Sequence, residues 1–436
     1  VETTHLRRLI ILLAFALAGS LHLFLVSWLL SAFPRLRAHR RVVIAVAVLL
    51  FLTAPIGRLL GVFFWKGLAS SFSAAGTTEW MTVMLTSVPL GVAVIATRIA
   101  ERARRSTRVL KESSHHPASA VIKGRHAPPL PKKREFLGSP PHAALAKPEE
   151  DRDVAPEGTL GRRLVIERSV GLVAMGASAS VLGWGSVFGR HEFQVEEIVV
   201  RLAGLPKALE GYTIAQISDI HAGLFVGERE IEEGFEKVRS LRPDLVVVTG
   251  DLVDFDARFA PWLARKLSDL RGKDGVVGIL GNHDYYAGFT LVVPAMRAAG
   301  VDLLVNEGRT IRPNDGGGFA LLGVDDLWAP RSGGVGPDLD RAIAMVRPDT
   351  ARVLLAHQPS FLKESRGQVG LQLSGHTHGG QINPGFRPAD FLMRYVSGRY
   401  EESGTTLWVN RGFGVAGPPS RIGAPPEVTK VVLVSA

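Results

Sequence analysis

The chain reads as a layered α/β domain preceded by an α-helical transmembrane region of about four spans. Three observations carry this reading. Long apolar runs recur four times before residue 190. From residue 194 onward, short apolar strands alternate with helical stretches, the pattern of layered sheets covered by helices. Five of those strands end in Asp, Asn or His, and the carboxyl ends of strands are where open α/β sheets bind ligands.

At 436 residues the chain is too long for one ordinary domain. Its net charge of +10 is uneven: residues 1–190 carry a net +14 and residues 191–436 a net −4. The basic balance therefore belongs to the membrane half and gives no reason to expect nucleic acid as a partner of the rest. There are no cysteines, which excludes disulfides, thiolate metal sites and cysteine nucleophiles.

In the region 1–100, spans are expected at about 9–30, 42–65 and 80–97, each long enough to cross a bilayer. Residues 101–163 are rich in Pro, Ala, Ser and basic residues and read as a disordered cytoplasmic linker near anionic lipid. A fourth anchor follows over 164–189, with small residues such as Gly171, Gly176 and Ala177. Arg162 and Arg163 before it resemble a twin-arginine export signal; flanking charge is the plainer reading. Arginines at 35, 37, 40 and 41 and the basic linker fall on one side under the positive-inside rule. This places residues 190–436 outside the cytoplasm, on a multi-pass protein of the cell (inner) membrane. With no acid inside the runs and no evident repeat, a transporter is disfavoured.

In the catalytic half, 190–436, strands are expected at 194–202, 212–218, 244–249, 275–280, 319–323, 352–356, 371–374, 405–409 and 428–434. Helices are expected at 228–241, 258–270, 290–299 and 338–346. The first of these has Ile231, Phe235 and Val238 on one face. Gly316-Gly317-Gly318 reads as a hairpin turn, since no Walker-type Lys-Ser/Thr follows it.

The strand ends supply Asp219 and His221, then Asp251, then Asn282 and His283, then His357, then His376 and His378. In His376-Thr377-His378 the two imidazoles point the same way along an extended chain. Oxygen and imidazole donors without sulfur suit Mn, Fe, Zn or Co. The set is too large for one tetrahedral ion and sufficient for two ions sharing a carboxylate. A pair of divalent ions stabilises both the attacking and leaving oxygens of a phosphoryl displacement and acidifies a water between them. The residues thus point to hydrolysis of a phosphoester by a metal-bridging hydroxide.

Asp219-Ile220-His221, Gly250-Asp251, Gly281-Asn282-His283-Asp284, His357 and Gly375-His376-Thr377-His378 resemble, in order, the signature blocks of the calcineurin-like metallophosphoesterase superfamily. Asp284-Tyr285-Tyr286, His378-Gly379-Gly380-Gln381 and Asn410-Arg411-Gly412 resemble its membrane-associated bacterial YkuE/YaeI-like branch. The resemblance implies a double β-sandwich flanked by helices. It implies that Asp219, His221 and His378 hold one metal, that Asn282, His357 and His376 hold the other, and that Asp251 bridges. It makes His283 the group that protonates the leaving oxygen, with Asp284 orienting it. Arg411 and Tyr286 are weaker candidates for substrate contacts; Asp254, three residues after the second block, is a candidate for contact with substrate or an outer water, or for a local turn or cap. The substrate class implied is a phosphorylated compound, lipid-linked if the membrane tether sets it. A pyrophosphatase of a nucleotide-linked lipid precursor, a cyclic-nucleotide phosphodiesterase and a non-catalytic scaffold are the alternatives; the complete ligand set disfavours the last.

Overall fold

Alternation of apolar side chains decides the architecture after the spans. The computed structural model describes residues 2–63, 66–114, 161–270, 272–314 and 317–436. The chain divides into two compact units, Val1–Leu85 with Met175–Ala436, and Thr86–Ala174.

Among the described residues, twelve strands form two six-stranded mixed sheets. The first contains β1 (Gln194–Leu202), β2 (Tyr212–Ile217), β3 (Leu245–Thr249), β4 (Val276–Ile279), β5 (Asp302–Leu303) and β12 (Glu427–Ser435), in the order β1-β12-β2-β3-β4-β5. The second contains β6 (Glu307–Ile311), β7 (Phe319–Gly323), β8 (Arg352–Leu355), β9 (Leu371–Ser374), β10 (Gly398–Glu402) and β11 (Thr405–Val409), in the order β10-β11-β9-β8-β7-β6. Strands β2, β3 and β4 run parallel, as do β7, β8 and β9, so each sheet gathers several carboxyl ends on one edge.

Side chains on alternate strand positions face opposite sides. In β3, Leu245 and Val247 join the core between the sheets, while Val246 and Val248 face Ile231, Phe235 and Leu263 of the outer helices. In the second sheet, Phe319 and Leu321 face inward, whereas Ala320 and Leu322 pack on Leu339 and Ala342. The result is helix, sheet, sheet, helix: the expected layered sandwich. The covering helices run Glu228–Leu241, Ala260–Ser268 and Phe289–Ala298 on one side and Leu339–Ala344 on the other. Gly317 and Gly318, both at positive φ, lie in the connection between the antiparallel strands β6 and β7, as expected of a hairpin; Gly316 lies outside the described residues.

Three strands were not expected: β5, β6 and β10. All lie at or beside sheet edges, where polar sequences such as Gly398–Glu402 replace apolar runs.

Among the described residues, four helices are long and apolar enough to cross a membrane, with candidate spans Phe15–Ala32, Arg40–Gly57, Ser71–Arg104 and Arg162–His191. The third helix, Lys66–Ser114, runs well into the stretch read as linker; the remainder of that stretch, 115–160, lies outside the described residues. The third candidate span is longer than the expected run 80–97 and takes in an acid that stands just before that run. This acid is Glu79, and its carboxylate is 2.8 Å from His22 Nε2 on the first. A polar group in hydrocarbon needs such a partner, and the helix context hid the pair because the two residues are far apart in sequence. Arg163 bonds Glu167 at 2.7 Å and Glu101 at 3.1 Å, so this arginine of the twin pair is engaged within the folded chain.

Candidate metal centre

The carboxyl ends of β2, β3 and β4 from one sheet and of β8 and β9 from the other converge on one cleft. Beyond β2 and β3 the chain continues in register: Asp219 N donates to Gly250 O at 3.0 Å and His221 N to Asp251 O at 3.0 Å. Asp219, His221, Asp251, His376 and His378 all adopt positive φ, from 50° to 71°. For residues with a Cβ this region is sparsely populated and costs about 1–3 kcal/mol each. Such strain persists where the surroundings over-determine it, and here it concentrates on the candidate ligands. Gly375 and Gly281 make the approach feasible. A Cβ at Gly375 would overlap Ser218 and Asp219, and one at Gly281 would overlap Asp251.

Three groups of ligand atoms form among the described residues; one of them, His221, Asp254 and His283, shares His221 with its neighbour, and the other two are built around the expected ligands. Asp219, His221 and His378 make one of these two; Asp251, His357 and His376 make the other, with the atoms of each within 4.8 Å of one another. His221 Nε2 faces His378 Nε2 at 3.1 Å, and His357 Nε2 faces His376 Nδ1 at 3.2 Å. Asp251 Oδ2 lies between these two groups, 3.6 Å from His221 Nε2 and 3.2 Å from His357 Nε2. Asp219 accepts from His376 N at 2.9 Å. All of these side chains are buried or nearly so.

This arrangement suits divalent cations. Imidazole nitrogens converge on one another, and the Oδ1 atom of the buried Asn282 has no hydrogen-bond partner among the described residues. A buried acceptor left alone is costly, and a cation would satisfy it. His357 Nδ1 donates to Thr249 O at 2.8 Å, which fixes the tautomer that leaves Nε2 free as a ligand.

Charge is divided accordingly. Burial favours the neutral form of Asp251, but His357 and its neighbours outweigh it and hold that carboxyl well below the usual range. Burial opposes a charge on His357, and Asp251 overcomes it, raising its pKa well above normal. Burial and the charge of His357 push His376 down to about 3; burial, His221 and Arg421 hold His378 well below normal. The last two are therefore neutral, the form that binds metal.

His283 sits beside the two groups of expected ligands. Its backbone N–H donates to Asp251 Oδ1 at 2.8 Å, and its ring Nδ1 lies 3.1 Å from Asp254 Oδ1. Burial alone would lower its pKa, but Asp251 and Asp254 raise it to about 9. Asp254 thus takes the orienting place expected of Asp284. The Asp284 carboxylate instead accepts from Gly281 N at 2.9 Å and Val253 N at 3.1 Å, closing the turn into the Asn282–Ala287 helix. Burial and Asp251 raise it to about 7. Tyr286 is half-exposed, its ring 5.6 Å from that of His283 and stacked near Phe255, so it walls the cleft. Tyr285 is buried and bonds Asp325.

Arg411 does not point at free space for a phosphate. Its Nη2 donates to Glu196 at 2.8 Å and its Nε lies 3.0 Å from the buried Glu427. A different arginine reaches the ligands. Arg421, 1% exposed, bonds the carbonyls of Arg411, Gly414 and Ala424, and its Nη2 lies 3.2 Å from His378 Nδ1. Burial lowers its pKa to about 9. It stands in an irregular loop with no motif around it, and nothing in its local sequence signals the contact.

A helix-covered double sheet with carboxylates and imidazoles gathered at its strand ends defines a class, the α/β-sandwich metallohydrolases. Comparison with known proteins narrows the class. The model of the calcineurin-like phosphoesterases matches residues 212–380. YkuE of Bacillus subtilis, an uncharacterized metallophosphoesterase, is 30% identical over 289 residues, covering 63% of this chain and 98% of that protein. A Bos taurus transmembrane protein with a metallophosphoesterase domain is 34% identical over 258 residues, covering 56% of this chain and 57% of its own length. A dimetal phosphatase of Danio rerio superposes with a TM-score of 0.32 at 15% identity, covering 48% of this chain and 90% of that one. The chain belongs to the calcineurin-like metallophosphoesterases. It spans somewhat less than two thirds of the vertebrate transmembrane relatives it matches.

Proposed function

We propose that the protein hydrolyses a phosphoester in a two-metal site, with residues 190–436 as a catalytic domain carried outside the cytoplasm by four spans. The observation that carries the reading is the carboxylate of Asp251 standing between two converging ligand groups. Asp219, His221 and His378 would hold one ion; Asn282, His357 and His376 the other; Asp251 both. Two divalent ions, when bound, place positive charge against the phosphoryl oxygens and make a water acidic enough to attack. The chain supplies the rest. Asp254 holds the His283 ring by Nδ1, which leaves Nε2 to donate a proton to the departing oxygen. The Thr249 carbonyl holds His357 in one tautomer, and the stacked rings of Tyr286 and Phe255 stand beside His283.

The test is hydrolysis of bis(p-nitrophenyl) phosphate by the full chain in detergent, with and without added Mn²⁺. Metal-dependent turnover that Asp251→Asn abolishes is the expected result. Turnover indifferent to chelation, or undiminished in Asp251→Asn, refutes the reading. Reporter fusions at residue 130 and after residue 436 test the orientation: periplasmic activity at the linker with none at the catalytic end would reverse it.

A further inference from the structure

The segment following the His376–His378 motif carries a feature that the chemistry leaves unused. Over residues 384–394 four large apolar side chains face outward. Phe391 and Leu392, 82% and 86% exposed, are the two most exposed large apolar residues among those described, more exposed than any on the spans. Phe386 and Met393 accompany them. Arg387 and Arg394 flank the group, the first bonded to Asp390 at 2.7 Å and the second to Glu402 at 2.7 Å. Exposed apolar side chains in one short segment mark a surface that something covers.

The root of the segment lies against the candidate spans. Ile382 packs with Ile422 against Leu182 of the fourth span, and Met81 and Leu85 of the third lie against the same cluster. Ser420 Oγ donates to Leu182 O at 3.1 Å, Arg421 N donates to Gly185 O at 3.1 Å, and Asn383 N donates to Ile422 O at 2.8 Å. Four residues beyond Ile382, the apolar side chains begin. A segment anchored at that depth to membrane-crossing helices, with apolar side chains outward and basic ones beside them, has the chemistry of the lipid interface. Behind it lies a cavity of about 660 Å³, lined among others by His376, Arg331, Lys363, Leu392, Met393 and Arg394.

We propose that residues 384–394 are seated in the lipid surface, so that the mouth of the catalytic cleft opens at headgroup level. Three cations and an apolar rim then face the phosphate and the first carbons of an amphiphile whose chains stay in the bilayer. The substrate part of this inference rests on the phosphoester chemistry above; the seating of the segment does not.

The chain has no native cysteine, so single cysteines can be labelled without further change. Phe386→Cys and Phe391→Cys test the segment. Ala208→Cys, in the turn before β2 at the opposite end of the strands, is the control. Each full-length variant carries an environment-sensitive fluorophore and sits at one copy per phosphatidylcholine nanodisc. Replacing the lipid by its acyl-brominated form should quench positions 386 and 391 at least twofold and leave position 208 unchanged. Quenching at 386 and 391 no greater than at 208 overturns the proposal, as does loss of label accessibility only when two copies share a disc, which would make the cover a second copy of the chain. Hydrolysis of bis(p-nitrophenyl) phosphate by the same samples separates the two readings. Quenching without any turnover supports the lipid seat and counts against the enzymatic reading; turnover without quenching does the reverse.

Discussion

Asp254→Asn gives the sharpest view of how His283 works. The substitution keeps the shape of the side chain and removes its charge. In the wild type the carboxylate is 3.1 Å from His283 Nδ1 and 3.5 Å from His221 Nδ1, and both Asp254 and His283 are largely buried. A hydrogen bond to a charged group is worth about 1.5–3 kcal/mol. If that bond serves the transition state, kcat/KM falls by about 10- to 150-fold, at 1.36 kcal/mol per decade. The loss should also depend on the leaving group. A p-nitrophenolate leaves with little help, whereas under the proposed mechanism an alkoxide would take a proton from His283 Nε2. The assay is therefore kcat and KM for a series of phosphate esters whose leaving-group pKa rises from about 7 to about 14, for wild type and variant, with bound metal measured alongside. The expected outcome is a deficit that grows along the series at unchanged metal content. An equal deficit for every ester, or a deficit that tracks lost metal, would refute the role of Asp254 as the positioning residue of a proton donor.

Four further outcomes are expected. Asp284→Asn should lower the unfolding midpoint, because an amide cannot accept from both Gly281 N and Val253 N, at a cost of about 1–3 kcal/mol, and should show no leaving-group dependence. Gly375→Ala should abolish metal binding or folding, since its Cβ overlaps Ser218 and Asp219; metal content and thermal denaturation distinguish the two. Asp244 accepts from Thr213 N, Thr213 Oγ1 and Lys273, and its carboxyl is held below the usual range by these partners although burial opposes them. A depressed carboxylate stabilises the fold above its unfolded pKa and loses that contribution as pH falls through the folded one, so wild type minus Asp244→Asn stability should shrink on going from pH 6 to below pH 4 in denaturant titrations. Arg411→Ala should leave KM for small phosphate esters within about twofold and destabilise by about 1–3 kcal/mol, because it strips the buried Glu427 of a partner.

Much of the site could be read directly, because its residues sit where apolar strands stop. Val246 to Thr249 announce a buried strand, and Asp251 follows it; the same logic holds for His357 and His376. Partners that meet only through tertiary packing could not be read so. Asp284 follows His283 in sequence, yet Asp254 from another strand end orients the ring, because the helix starting at Asn282 turns Asp284 back onto its own first turn. Arg411 is drawn away from its expected substrate contact, and Arg421 reaches His378 without any sequence signal, for a similar reason: the neighbours that decide them, Glu196, Glu427 and His378, come from three distant segments. His22 and Glu79 find each other only once the helices pack. Polar edge strands such as β6 lack the apolar alternation that makes central strands visible.

The order of strands in the first sheet bears on how the protein is made. β1 leaves the membrane directly after the fourth span, but its neighbour is β12, in parallel from Gln194 beside Glu427 to Leu202 beside Ser435. β12 also pairs with β2, so it lies between the first two strands of the domain. The tethered strand therefore waits, unpaired and next to the bilayer, until more than two hundred further residues have emerged, and ribosomal synthesis at about 5–20 residues per second sets that wait at roughly 10–50 seconds. During it, the exposed edge is a template for wrong pairing. Truncations that remove β12 should thus fail early, as aggregation at the membrane surface, rather than late, as a folded domain with a missing edge.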